Sequence, residues 1–417
     1  MSEPSKKSRL LTARTYLSSA IPAPLRRATF RQLWFGMNCS YAGNRLQQLA
    51  QAWLVATLTS SAMAVGWITV LSSLPLLLLP LGGVIADQVD RRRLLIIWQV
   101  IGAVATAIVA VLVLAGNIAI WHIYVWAVIR GLVILFSRPA YKVILTGSVP
   151  TNEVRSAVSI NSMSETSAMV VVSGAGSVLL GVLGLGLAFI LNTVTYLVAA
   201  ACFWNLRDLS RQSTGRSGSL DLRRLMSDLI DGIIYLTRQP LILHPLLFTF
   251  VTIMMVGPVI GLLASIVHIE SGSIIDLGML AASFSFGALV GAGFAGARSA
   301  GDNPTRLYAF LGLLSAIALA LFARFPAGFF AMVPLAVLGA AAFAQAVWNT
   351  SRIQEMAQQS YQARLQAITS MAFTLGFTLG MLWAGLAIDA FGLVALVYGA
   401  VVLGVLSVII LITMKRE

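Results

Sequence analysis

Three charged side chains lie inside long apolar stretches of the sequence: Arg45, Arg130 and Glu165. If these stretches cross a membrane, each charge costs about 2.5–3.5 kcal/mol on insertion scales, so such residues usually face a cavity and have a function. A guanidinium can hold a carboxylate or a catecholate through two parallel hydrogen bonds. We therefore predict that Arg45 and Arg130 bind an anionic substrate.

Glu165 is the acid that lies deepest in an apolar stretch. Burial disfavours the ionised form of a carboxyl group, whereas a neighbouring guanidinium favours it, so the protonation of Glu165 can change with its surroundings. We predict that Glu165 pairs with Arg130 or Arg45 and takes part in proton coupling. The alternative is a purely structural Arg–Glu contact between helices.

The first apolar stretch carries its polar side chains on one side. At 100° per residue, all of them fall on one half of a helix, and the other half is apolar. A helix surrounded by lipid would not show this division, so the polar half should line a wet cavity. The alternative is a buried hydrogen-bonded seam between helices. The predicted substrate contacts on this helix are Asn38, Tyr41, Asn44, Arg45, Gln48 and Gln51.

Candidate contacts with fewer charges come from elsewhere in the chain. Trp126 lies one helical turn before Arg130, and polar and aromatic residues recur in two late apolar stretches. Aromatic residues at such positions also serve as core or lipid-interface residues, and this alternative stays open. The predicted substrate contacts in the second half of the chain are Gln345, Trp348, Asn349, Phe373 and Phe377.

The composition requires elements that span a membrane. The chain of 417 residues is 58% hydrophobic and 10% charged, whereas a soluble domain carries about a quarter charged residues. A membrane helix needs about 20 mostly apolar residues. Twelve predicted transmembrane helices meet this need, at 33–57, 63–86, 94–115, 120–142, 158–182, 185–205, 240–266, 276–297, 305–324, 327–349, 365–388 and 391–414. We predict an all-α membrane protein.

The distribution of basic residues predicts the orientation. Formal net charge is +13, and nearly all Lys and Arg fall in alternate loops and in the two tails, which places both termini in the cytoplasm. The same residues can contact anionic lipids, a reading that we prefer to nucleic-acid binding. The predicted location is the bacterial inner (cytoplasmic) membrane.

The longest loop divides the helices into six and six. The predicted domains are a cytoplasmic segment 1–32, a first lobe 33–205, a linker 206–239 with an amphipathic helix, and a second lobe 240–414. Secondary transporters are commonly built from two such halves, with the substrate site between them near the midplane.

The sequence GGVIADQVDRRRLL follows the second apolar stretch. Its Gly83, Asp87, Arg91 and Arg92 match the motif GxxxD(R/K)xGR(R/K), so the chain resembles the major facilitator superfamily. Further stretches are similar to its branch of enterobactin-type siderophore exporters and macrolide-efflux proteins: FRQLW, SYAGN, FSRPA, NEVRSAVSIN and YQARLQAI. The resemblance implies a two-lobed fold in which the four motif residues form a conformational latch. The alternative is that the arginines only set the topology.

Two departures from the family pattern bear on the substrate and on antiport. Asn44 and Arg45 stand where the branch often has an acid, which argues against a cationic drug. The fifth apolar stretch lacks the Gly-Pro pair of the family's antiporter motif.

No soluble catalytic machinery is evident. The sequence contains no GxxxxGK[ST] phosphate loop and no cluster of metal ligands, so we expect no enzyme activity, cofactor or metal. We predict a monomer that exports an amphiphilic, anionic, siderophore-like molecule by proton-coupled alternating access. The alternatives are multidrug or macrolide efflux, lipid movement between leaflets, and a sensor on a transporter fold.

Overall fold

The computed structural model describes residues 22–79, 82, 85, 89–206, 222–297, 304–358 and 361–413. These residues are almost entirely helical. Gly83 and Asp87 of the predicted latch lie outside the described residues, as do most of segment 1–32 and the linker up to residue 221. We use "first half" for residues 22–206 and "second half" for residues 222–413.

The first half contains six α-helices. Their bounds are α1 Ala28–Thr59, α2 Ala62–Ser73, α3 Arg91–Leu114, α4 Ile120–Gly147, α5 Val154–Leu183 and α6 Leu185–Trp204. A 3-10 turn at Leu74–Leu78 extends α2, with Pro75 at its start. Helix α4 continues past Pro139, one turn further than the predicted span 120–142.

The second half contains eight α-helices. Their bounds are α7 Leu222–Thr237, α8 Pro240–Gly261, α9 Leu263–Ile269, α10 Ile274–Ala297, α11 Pro304–Arg324, α12 Phe329–Met356, α13 Gln362–Phe391 and α14 Val394–Thr413. The predicted span 240–266 comprises α8 and most of α9, and the helix is interrupted between them at Leu262, whose φ of −101° and ψ of 8° are not helical.

Among the described residues, nine helices are long and apolar enough to cross a membrane: α3 to α6, α8, and α10 to α13. Helix α1 has 32 residues, enough for a crossing, but its polar side chains lower its hydropathy. Helix α2 with its 3-10 extension and α14 are the shorter apolar segments. A multi-pass helical membrane protein is therefore confirmed, and the count of twelve spans stays a prediction.

In the described part of the chain, the two halves pack together mainly towards one end of the bundle. One core cluster contains residues of both halves, including Val55, Val65, Leu262 and Met381. The described contacts between the halves include the end of α1, α2 with its 3-10 extension, and the C-terminal part of α5. One of them is the edge-to-face pair Trp53–His268. At the opposite end, separate clusters form within each half. We call the joined end the sealed end and the other the split end.

Asp389 connects the halves at the sealed end. Its carboxylate accepts hydrogen bonds from the Ser61 hydroxyl at 2.6 Å, the Ala62 amide at 2.6 Å and the Met63 amide at 3.2 Å. These donors form the N-terminus of α2, where unpaired amides and the helix dipole favour a negative charge. An acid at the end of α13 thus caps a helix of the other half.

The helix predicted in the linker packs on the second half. Gly232 lies against Ile368 of α13, and the rings of Tyr235 and Tyr361 stack with centroids 4.2 Å apart. On other faces of α7, Ile230 and Ile233 stay exposed. The helix therefore has one docked apolar side and one free apolar side, the second of which suits a membrane interface.

Candidate functional site

The first half encloses a cavity of about 170 Å³ between α1, α3, α4, α5 and α6. Apolar residues Met37, Val133 and Ile134 form part of its wall. Six of the predicted site residues line it: Tyr41, Asn44, Arg45, Gln48, Arg130 and Glu165. The two arginines and the acid that the sequence singled out therefore share one site.

A close contact between α1 and α6 orients the polar side of α1. A Cβ atom at Gly43 would overlap the side chains of Thr195 and Asn192, so only glycine allows this approach. The Asn44 side-chain oxygen accepts a hydrogen bond from the Tyr196 hydroxyl at 2.7 Å, and Asn192 donates to Gln47. One edge of the polar stripe is thus a buried hydrogen-bonded seam.

The other edge of the stripe faces the cavity. Arg45 donates to the side-chain oxygen of Gln48 at 3.1 Å, and both residues line the cavity with Tyr41. The two interpretations of the stripe therefore each describe part of it: Asn44 and Gln47 contribute to the seam, and Arg45 and Gln48 to the wet side.

The expected direct pair between Glu165 and Arg130 or Arg45 is absent. Within the described part of the chain, Glu165 accepts from the Asn161 amide at 2.8 Å, and its carboxylate forms no salt bridge. Arg45 and Glu165 are nevertheless close enough to interact electrostatically. The Asn161 side chain fills the position beside Glu165, because it is held there by the Tyr141 hydroxyl at 2.6 Å.

Arg130 is left without a counter-charge in direct contact. Its Nε atom is buried and has no hydrogen-bond partner among the described residues. The aromatic ring of Tyr196, on α6, shares the cavity with it. A buried guanidinium with free donors is a strong attractor for an oxyanion.

Three predicted substrate contacts of the first half do not line the cavity. The Asn38 amide is bound to the backbone oxygen of Trp34 at 2.7 Å. Gln51 is 1% exposed, in the region where the two halves pack together. Trp126 donates its indole N–H to Thr106 at 3.0 Å, because its large ring reaches across to α3.

The predicted contacts of the second half do not join the cavity either. Gln345, Trp348 and Asn349 are between 0% and 4% exposed, and the Asn349 amide donates to Thr249 of α8 at 3.3 Å. Phe377 packs against Gly257 of α8. Phe373 is 46% exposed on the surface of α13. The cavity thus belongs to the first half alone in this conformation.

The described part of the predicted latch forms contacts within the first half. Arg92 donates through Nε to the Phe203 carbonyl at 3.0 Å and through Nη2 to the Trp204 carbonyl. These carbonyls end α6, where a cation is favourable. Asp90 caps α3 by accepting from the Arg92 and Arg93 amides at 2.9 and 3.2 Å. Arg91 begins α3.

Sequence reasoning missed five polar residues of the cavity wall: Ser40, Gln99, Ser137, Arg138 and Tyr196. Arg138 falls near the end of the predicted span 120–142 and was counted only among the basic residues on the cytoplasmic side. The missing signal was its spacing, since a residue eight positions after Arg130 lies about 80° away around the helix, within the same broad side of α4. Helix α4 continues beyond Arg138, so the side chain lies on the cavity wall.

The helical bundle, the matching family model and the similar solved structures together define a multi-pass, non-enzymatic transporter of the major facilitator type. The chain belongs to the transmembrane secretion effector family, whose profile matches residues 19–416. It is 22% identical over 368 residues to macrolide efflux protein A of Streptococcus pyogenes, covering 87% of this chain and 90% of that protein.

Solved structures share the fold at low identity. A mutant of the peptide transporter POT has a TM-score of 0.73 at 11% identity, with 94% of this chain and 95% of that one covered. An inward-facing bacterial homologue of the human lysosomal transporter Spinster has a TM-score of 0.68 at 14% identity, with 94% and 97% covered. The nucleoside transporter NupG has a TM-score of 0.62 at 13% identity, with 93% and 98% covered.

Proposed function

We propose that this protein is a secondary active transporter that exports an amphiphilic, siderophore-like anion from the bacterial cytoplasm, driven by protons. In this proposal twelve spans form two six-helix lobes in the inner membrane, both termini are cytoplasmic, and the protein works as a monomer. Basic residues of the inner loops and of the linker contact anionic lipids.

The observation that carries the proposal is that two arginines share one cavity with a single acid. Arg45 and Arg130 line the same cavity as Glu165, and that acid makes no salt bridge with either among the described residues. After Glu165 is counted, positive charge remains, and a planar guanidinium suits carboxylate and catecholate oxygens. The apolar wall residues Met37, Val133 and Ile134 suit the rest of an amphiphile.

The arrangement of the halves suits alternating access. With the split end in the cytoplasm, the cavity would accept substrate from inside, and separation of the sealed end would release it outside. Glu165 lies on the same cavity wall, so binding of an anion near Arg45 changes the electrostatic surroundings of this carboxyl group. Such coupling allows one side chain to exchange a proton against the substrate.

The test is export of a negatively charged probe by everted membrane vesicles. We expect accumulation of 5-carboxyfluorescein, and we expect Arg45→Ala to reduce it at least about tenfold, because one charge-assisted contact with the probe is lost. Arg324→Ala, which removes an exposed arginine outside the cavity, is the matched control. Unchanged export in the Arg45→Ala vesicles would contradict the proposal.

Macrolide efflux is the second candidate, favoured by the 22% identical relative of that name. The same vesicles decide between the two functions. Macrolide accumulation that survives Arg45→Ala, together with no accumulation of carboxyfluorescein in the unmodified protein, would establish the second candidate over the first.

A further inference from the structure

The cavity holds more positive charge than a substrate with one acidic group can balance. Arg45, Arg130 and Arg138 all line it, against the single carboxylate of Glu165. We propose that the substrate carries two acidic groups and that Arg138 is the specificity residue for the second one. This inference rests on the proposed export of an anion and names its chemical class.

The three guanidinium groups surround the same space. Arg130 and Arg138 belong to one face of α4, together with Val133, Ile134 and Ser137. Eight residues of α-helix separate their Cα atoms by about 12 Å along the axis. Arg45 faces them from α1 and interacts electrostatically with both arginines. A molecule with acidic groups at its two ends can therefore contact Arg130 and Arg138 at once, with Arg45 beside it.

The donors of these arginines are available to a ligand. Arg45 is bound to the neutral Gln48, and the Nε atom of Arg130 is buried without a partner. In the part of the chain that the structure describes, no salt bridge involves Arg45, Arg130 or Arg138. Glu165 is instead bound by Asn161. The internal acid thus leaves all three guanidinium groups without a direct counter-ion.

Charge balance then decides the class of substrate. Three guanidinium groups and one carboxylate leave two positive charges in a confined site, where unbalanced charge is costly. A monoanion neutralises one of them, and a dianion neutralises both. Dicarboxylates and phosphomonoesters have this charge, whereas macrolides and zwitterionic lipids do not.

The experiment compares two acids on the same aromatic ring. Purified full-length protein in nanodiscs is titrated at pH 7.5 with naphthalene-2-carboxylate and with naphthalene-2,6-dicarboxylate by isothermal calorimetry. We expect the dicarboxylate to bind roughly tenfold more tightly, because its second carboxylate gains a charge-assisted contact with a further guanidinium group. We expect Arg138→Gln to bring the two affinities within about threefold while the monocarboxylate affinity is retained.

Two further variants separate charge from structure. Arg138→Lys keeps the charge and should retain part of the dicarboxylate preference. Arg93→Gln removes an arginine whose side chain is 82% exposed outside the cavity, and it should change neither affinity. Each variant is first shown to elute as one monodisperse peak.

Three outcomes would overturn the inference: equal affinities for both acids in the unmodified protein, equal weakening of both by Arg138→Gln, or an unchanged preference in that variant. Each would leave the export of anions standing, provided that the acids bind and carboxyfluorescein is transported. If neither acid binds and carboxyfluorescein is not exported, the proposed function fails as well.

Discussion

At the scale of single residues, the proposed use of a proton gradient depends on Glu165. Its carboxylate is held by Asn161 at 2.8 Å and lies in the field of Arg45. In the proposed coupling, this carboxyl group gains and loses a proton during the transport cycle. We expect Glu165→Gln, which fixes a neutral side chain of the same shape, to abolish the acceleration of carboxyfluorescein transport by ΔpH.

The measurement is transport by everted vesicles with and without an imposed pH gradient. Exchange of labelled for unlabelled probe, which needs no net proton movement, should survive in the Glu165→Gln protein. Glu355→Gln, at an exposed acid beyond the cavity, should behave like the unmodified protein. Transport that still responds fully to ΔpH in Glu165→Gln would exclude this residue from coupling.

Charged residues inside apolar stretches were a good guide to the site. The contacts that a long side chain makes could not be predicted in the same way. Arg45, Arg130 and Glu165 stood out because their charges contradict their surroundings, and all three line one cavity. Trp126 shares its helix with Arg130, yet its indole turns to Thr106. The direction of this indole depends on packing against α3, and the spacing of residues along α4 carries no information about that packing.

At the scale of elements, Asp389 should control how firmly the sealed end closes. Its three hydrogen bonds cap α2 from the other half of the molecule. Loss of a capping side chain costs about 0.5–2 kcal/mol. Because Asp389 caps α2 only while the halves are in contact, losing this cap would destabilise the conformation in which the sealed end is closed. We expect Asp389→Ala to open the sealed end between about twofold and thirtyfold more often.

Thiol alkylation can measure this opening. A reporter Ala384→Cys is suitable, because Ala384 is 0% exposed in the cluster shared by both halves. The labelling rate should rise with Asp389→Ala and less with Asp389→Asn, which keeps one acceptor. Asp276→Ala is the matched control, since Asp276 caps its own helix through Ser273 at 2.7 Å. Equal rates in all variants would contradict the role of Asp389.

Elements were predictable where hydropathy alone decides them. The nine apolar helices correspond to predicted spans. Helix α1 does not meet a hydropathy criterion, because its polar side chains line the cavity. The break at Leu262 was missed, since IGLLASIV reads as one continuous apolar segment. The docking of one side of α7 also depends on its partner helix α13, as the contact of Gly232 with Ile368 shows.

At the scale of the whole molecule, the proposed transport requires the halves to part at the sealed end. The close contact of α5 with α10 would have to open. Gly174 of α5 and Ala282 of α10 lie directly opposite each other at this contact. A Cβ built on Gly174 lies 3.5 Å from the Cβ of Ala282, within the usual range for a disulfide. A bond between these positions would hold the halves in the arrangement seen here.

We expect Gly174→Cys with Ala282→Cys, in a background that lacks Cys39 and Cys202, to stop transport on oxidation and to recover on reduction. The matched control joins α11 and α14 within the second half, where a Cβ on Gly404 also lies 3.5 Å from Ala316. Because rigid halves keep this second distance constant, Gly404→Cys with Ala316→Cys should cross-link without stopping transport. Carboxyfluorescein export under copper phenanthroline measures both pairs. Full export with the halves covalently joined would exclude transport by their separation.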